Sequence, residues 1–88
     1  MLTKGQIVGA RAMLGLNQDQ LVELVKAKDG TFSRSTLGRL EAKGSDHVLG
    51  ATVRRVQEAL EEQGAIFLPE DPERGLGPGV RIRSVNRL

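Results

Sequence analysis

The chain has no cysteine, no tryptophan and no tyrosine, and only two phenylalanines in 88 residues. Without thiols there is no disulfide and no thiolate metal site. One histidine, His47, does not make a zinc ligand set. With so few aromatics the core must be aliphatic, and stacking of unpaired bases on aromatic rings is not expected. No run approaches the roughly 20 apolar residues of a membrane-spanning helix. Met1 to Leu14 lacks the apolar stretch of a signal peptide, so a cytoplasmic location is expected. Catalytic patterns are missing as well. Asp29, Asp46, His47 and the acids of residues 58–73 form no acid–base arrangement, and the serines lack a G-x-S-x-G context. Gly75-Leu76-Gly77-Pro78-Gly79 precedes a strand pattern, whereas a phosphate-binding glycine loop follows a strand and opens a helix. The expectation is one small domain that is no enzyme and carries no metal or cofactor.

The charge that is present is unevenly placed. Net charge is only +2, but residues 1–45 carry seven Lys/Arg against four acids. Residues 58–73 carry six acids and no base, and residues 74–88 carry four arginines. A basic half and an acidic far side favour docking on a polyanion; chance clustering on a solvated surface is the alternative.

Four helices are expected. The first starts at Thr3, where Thr3 and Gln6 form a capping box and Leu2 and Ile7 a hydrophobic staple. Ile7, Ala10 and Leu14, with Met13 nearby, give its apolar stripe, and Gly15 closes it. Gly5 and Gly9 weaken its propensity and suit close packing against a neighbouring helix. The second runs from about Gln18 to about Ala27, with Leu21, Leu24 and Val25 buried. The third runs from about Arg34 to about Ala42. The fourth runs from about Ala51 to Gln63, with Val53, Val56, Ala59 and Leu60 inward and Arg54, Arg55, Glu58, Glu61 and Glu62 outward. Arg54 and Glu58 are spaced for an i,i+4 pair.

After Gly64 the pattern becomes strand-like. Ala65-Ile66-Phe67-Leu68 stops at Pro69, and Gly79 to Ser84 alternates Val80 and Ile82 with Arg81 and Arg83. A two-stranded hairpin with a long loop is expected, and a lone hairpin is marginal in water. It either packs on the fourth helix or pairs with the same element of a second subunit. The division is then 1–64, a helical domain; 65–85, a β extension; and 86–88, a frayed tail. Ile66, Phe67, Leu68, Val80 and Ile82 are the candidate dimer contacts, and a two-fold homodimer answers the exposed-edge problem. Arg81 and Arg83 either touch DNA or the partner subunit or, as the preferred reading, form a solvated face.

The stretch from Leu14 to Leu40 organises the rest. Leu16-Asn17-Leu21 and Phe32-Ser33-Leu37 are two staples around Asn and Ser caps. The helix after Ser33 offers Arg34, Ser35, Thr36 and Arg39 beside a narrow seam of Leu37 and Leu40. Such a helix suits insertion into a DNA major groove. Gly38 in its middle has two readings: close approach to a phosphate or base edge, or close helix packing.

LGLNQDQL followed by SRSTLGRLE resembles the Cro/cI-type helix-turn-helix regulators, the xenobiotic-response-element family. The tail GAIFLPEDPERGLGPGVRIR is similar to the C-terminal extension of a bacterial subgroup of that family. The resemblance covers nearly the whole chain. It implies a mainly α, lambda-repressor-like fold with a short β element, and a homodimeric, sequence-specific regulator of transcription on double-stranded DNA. It implies base contacts from Arg34, Ser35 and Arg39, a phosphate contact from Gln18, phosphate contacts also from Ser33 and Thr36, and a structural Glu41. Asn17 and Lys43 complete the candidate phosphate set. The family turn is a tight A-x-x-x-G. Here Val22 and Lys26 occupy those spacings, and Lys26 to Thr31 stands as an insertion of about five residues, so either the second helix is longer or the turn looser. A protein-interaction module on the same fold, an antitoxin or antiactivator, is the alternative, with a protein partner in place of DNA.

Overall fold

A computed structural model describes residues 2–42 and 50–84. Lys43, Asp46, His47 and the tail 86–88 lie outside the described residues. Helices α1 (Lys4–Met13), α2 (Gln18–Asp29), α3 (Arg34–Glu41) and α4 (Gly50–Glu62) come first. Strands β1 (Ala65–Leu68) and β2 (Gly79–Ile82) follow, joined through a 3-10 turn at Pro72–Arg74. The molecule is mainly helical, with a small antiparallel sheet. None of the helices is long and apolar enough to cross a membrane among the described residues.

Local capping starts the first three helices. The Thr3 hydroxyl accepts the Gln6 N–H and the Gln6 amide oxygen accepts the Thr3 N–H, the reciprocal box expected at α1. Asn17 and Gln20 repeat it at α2, where only the Asn cap was anticipated. Ser33 caps α3 through the Thr36 N–H. Gly15 ends α1 at a φ of 73°, a left-handed conformation open to a residue without Cβ.

The residues after Lys26 extend α2 beyond the expected end near Ala27. α2 continues to Asp29, and Gly30, at a φ of 98°, donates its N–H to the Lys26 carbonyl. Three residues then separate Gly30 from α3.

The core is aliphatic: Ile7, Leu21, Val25, Leu37, Val56 and Leu60 are its largest fully buried side chains. Each of the three staples places one of its residues there, since Ile7, Leu21 and Leu37 are wholly inaccessible. Three expected stripe positions differ. Met13 is 55% exposed, and Leu14 and Leu24 are only half-buried while Val22 is buried.

Ala65 pairs with Ile82, Ile66 with Arg81, Phe67 with Val80 and Leu68 with Gly79. Because strand side chains alternate, Ala65, Phe67, Val80 and Ile82 share one face and pack against the helical core. The hairpin therefore sits on α1 and α4 of its own chain. This divides the expected dimer residues: Phe67, Val80 and Ile82 are occupied within the chain, Leu68 is half-buried, and Ile66 is exposed on the outer face beside Arg81. Gly9 serves the hairpin too. A Cβ built there would lie 3.4 Å from Val80 Cγ1, so the close neighbour of α1 at this point is a strand and not a helix.

Gln6 fastens the hairpin. It is only 5% exposed, and its Nε2 donates to the carbonyls of Leu68 (3.1 Å) and Gly79 (2.8 Å). One side chain thus completes a cap and bridges the last residue pair of the sheet. No buried side-chain polar atom among the described residues lacks a partner.

Candidate nucleic-acid interface

Helix α3 buries little of itself. Leu37 and Leu40, one turn apart, are its only buried residues. Arg34, Ser35 and Arg39 are exposed, and Thr36 and Gly38 are half-buried. A Cβ at Gly38 would meet nothing within 4 Å among the described residues, so no described helix packs closely on this glycine. Its missing side chain instead lowers the surface of α3 between Arg34 and Arg39.

A chain of polar contacts fixes α3 against the rest. Arg11, near the end of α1, grips Glu41 at the end of α3 in a two-pronged pair, Nε to Oε2 at 2.9 Å and Nη2 to Oε1 at 3.0 Å. Its Nη1 donates to the Leu16 carbonyl at 3.1 Å, which ties the α1–α2 turn to the same point. Gln18 Nε2 donates to Glu41 Oε1 at 2.9 Å, and Gln18 Oε1 accepts from Arg34 Nε at 3.3 Å. Arg34 Nε also lies 3.6 Å from Asp19 Oδ1. The network runs from inside to outside: the Glu41 side chain is 6% exposed, Arg11 19%, Arg34 65% and Asp19 71%. Glu41, the sole acid on α3, is neutralised by Arg11, so the charge that α3 presents outward is basic. Lys4 Nζ closes the far end of α3 on the Ala42 carbonyl at 3.2 Å.

The turn before α3 is held from α4. Arg55 donates to the Thr31 carbonyl, and its guanidinium stands 5.2 Å from the Phe32 ring centroid, within cation–π range. Arg54 and Glu58 form no ion pair among the described contacts. The α4 carboxylates that are engaged are Glu61, with Gln57, and Glu62, with Lys28.

The sequence-expected residues fall into two groups. Arg34, Ser35 and Arg39 lie together on the exposed side of α3, with Gln18 beside Arg34. Asn17, Ser33 and Thr36 have local work in helix caps: Asn17 Oδ1 holds the Gln20 N–H at 2.7 Å, and the Ser33 and Thr36 hydroxyls lie 2.9 Å apart. Sequence reasoning did not find the partnership of Asp19 with Arg34, of Arg11 with Glu41, or of Arg55 with the turn. Their separations of 15, 30 and 24 residues follow no local period, and no motif signals them. In comparisons with known proteins, no family model matches the chain, and neither a curated protein nor a solved structure matches it significantly.

Proposed function

We propose that this protein is a sequence-specific regulator of transcription that binds double-stranded DNA as a homodimer, with α3 lying in the major groove as the second helix of a helix-turn-helix. The observation that carries the reading is the outward side of α3: Arg34, Ser35 and Arg39 exposed around a glycine with open space above it, on a helix that gives only two leucines to the core. A helix fits the major groove, and an arginine fork matches the N7 and O6 acceptors of guanine. Gln18, Asn17, Ser33 and Thr36 lie at the starts of α2 and α3 as candidate phosphate contacts that set register, and the sequence adds Lys43 to them. The lengthened α2 leaves the start of α3 close to the start of α2, as the Arg34–Gln18 bond requires. The second subunit is expected to meet the outer side of the hairpin, around Ile66. A two-fold dimer then reads half-sites about 34 Å apart.

The test is fluorescence anisotropy against duplexes enriched by the protein from a randomised pool, at two salt concentrations. Specific binding is expected, falling by orders of magnitude between about 50 and 200 mM salt as counterions are released. Arg34→Ala and Arg39→Ala should each cost about 1–3 kcal/mol of discrimination. Binding without sequence preference that survives both substitutions overturns the proposal and leaves a protein-interaction module. Ile66→Asp tests the dimer by light scattering. It changes an exposed residue and leaves the core-packed residues of the hairpin in place.

A further inference from the structure

We infer that Asp19 and Gln18 act as positioning residues for Arg34, gripping its guanidinium from the Nε side and presenting its two terminal nitrogens to guanine. The inference rests on the DNA-binding reading above and concerns how that site obtains its specificity.

Arg34 Nε–H donates to Gln18 and stands within ion-pair distance of Asp19, without a hydrogen bond to it. Gln18 Oε1 lies 3.3 Å and Asp19 Oδ1 lies 3.6 Å from Arg34 Nε. No hydrogen bond among the described residues engages Nη1 or Nη2, the pair that forms a fork with guanine O6 and N7. The orientation of Gln18 is not arbitrary. Its Nε2 donates to Glu41 Oε1, and that carboxylate is already held at both oxygens by Arg11. An amide whose nitrogen end faces a carboxylate must turn its oxygen the other way, here toward Arg34. The partly buried Arg11–Glu41 pair thereby sets the direction of a side chain at the surface.

Asp19 is otherwise hard to place on a face read as approaching phosphates. It is a carboxylate 71% exposed, in the first turn of α2. It repels the DNA backbone, which weakens binding to every sequence alike. Holding Arg34 restores affinity only where a guanine receives the fork. The two effects together raise the ratio of specific to non-specific binding. Asp19 also suits the positive end of α2, a role independent of Arg34, and an Arg34→Ala background separates the two.

The experiment uses the full chain as wild type, Asp19→Ala, Asp19→Asn, Arg34→Ala and the double variant Asp19→Ala/Arg34→Ala. Three probes are used: a duplex enriched by the wild type from a randomised pool, its scrambled version, and the enriched duplex with 7-deazaguanine, which lacks N7, at the base that Arg34→Ala ceases to read. The Arg34 Nε–H group of the free protein is followed by 15N relaxation. Expected is an ordered Nε–H in the wild type that becomes mobile in Asp19→Ala. Asp19→Ala should bind the scrambled duplex more tightly, yet its enriched-to-scrambled ratio should fall about two- to fivefold, the scale of an exposed charge pair. Asp19→Asn, which keeps an acceptor, should fall between wild type and Asp19→Ala. The 7-deazaguanine penalty should shrink in Asp19→Ala and vanish in Arg34→Ala, and in that background Asp19→Ala should leave the ratio unchanged. Equal tightening on all duplexes, a ratio effect that persists without Arg34, or an Nε–H as mobile in the wild type as in Asp19→Ala overturns the inference alone. An ordered Nε–H together with a pool that yields no enriched duplex overturns the DNA-binding reading, and the guanine-presenting role with it.

Discussion

Gln6 and Arg11 leave α1 in different directions, and each ties that helix to a distant part of the chain. Gln6 reaches the hairpin with a neutral amide that is nearly inaccessible. Arg11 reaches the end of α3 with a charge, and the network it starts comes out to the surface at Arg34 and Asp19. The first junction ends in the sheet, with its hydrogen-bonding capacity used on backbone carbonyls. The second ends at Arg34, whose terminal nitrogens make no hydrogen bond among the described residues. A neutral, satisfied junction holds an element in place and does nothing more. A charged junction holds an element and also determines where an exposed group points. That difference separates the hairpin, which reads as scaffold on its inner side, from α3, which reads as a recognition surface.

Substitutions at the two junctions should differ in size and in reach. Glu41→Ala is expected to have the largest effect. It leaves the mostly buried Arg11 guanidinium without its carboxylate, and losing one member of a buried pair costs about 3 kcal/mol. Urea denaturation should show a lower midpoint at an unchanged slope, and Arg11→Ala combined with Glu41→Ala should cost less than the two added. Gln6→Ala should cost about 1–3 kcal/mol, because two carbonyls and one backbone N–H lose their partner at once. Its effect should be local in hydrogen exchange: amides of β1 and β2 exchange faster, while those at the α2–α3 junction keep their protection. Equal acceleration at both junctions would dissolve the distinction drawn here. The smallest effects concern the two glycines. Gly38→Ala should stabilise by about 0.5–1 kcal/mol, since helix propensity improves and nothing is nearby. Gly9→Ala should gain less, because the new methyl lies 3.4 Å from Val80 Cγ1. Under the DNA reading Gly38→Ala also weakens duplex binding while raising thermal stability. Tighter binding would remove any functional reason for that glycine.

What could be read in advance followed the range of the interactions concerned. Thr3 with Gln6, Asn17 with its cap, and Ser33 with Thr36 act over three residues, so spacing alone exposes them. The staples Leu2–Ile7, Leu16–Leu21 and Phe32–Leu37 act over five, and they mark the helix starts and three of the most deeply buried side chains. Alternation marked Val80 and Ile82 as one face of β2 but not what they would cover, because period-two patterning is the same whether a strand faces its own helices or a second subunit, and the uniformly apolar run of β1 did not separate its faces. Gly38 has two readings of equal standing in one dimension, and no described residue lies close enough to it to supply the helix packing that one of them requires.

The amino-acid order by itself determined four helices and a hairpin, their caps and an aliphatic core, because capping, staples and amphipathic period are local properties of the chain. The tertiary structure decided which side of the hairpin is covered, how far α2 extends, and which polar groups meet across 15 to 73 residues. Those contacts depend on the angle at which packed helices cross, and that angle is set by all the core side chains together, so no short stretch of sequence encodes it.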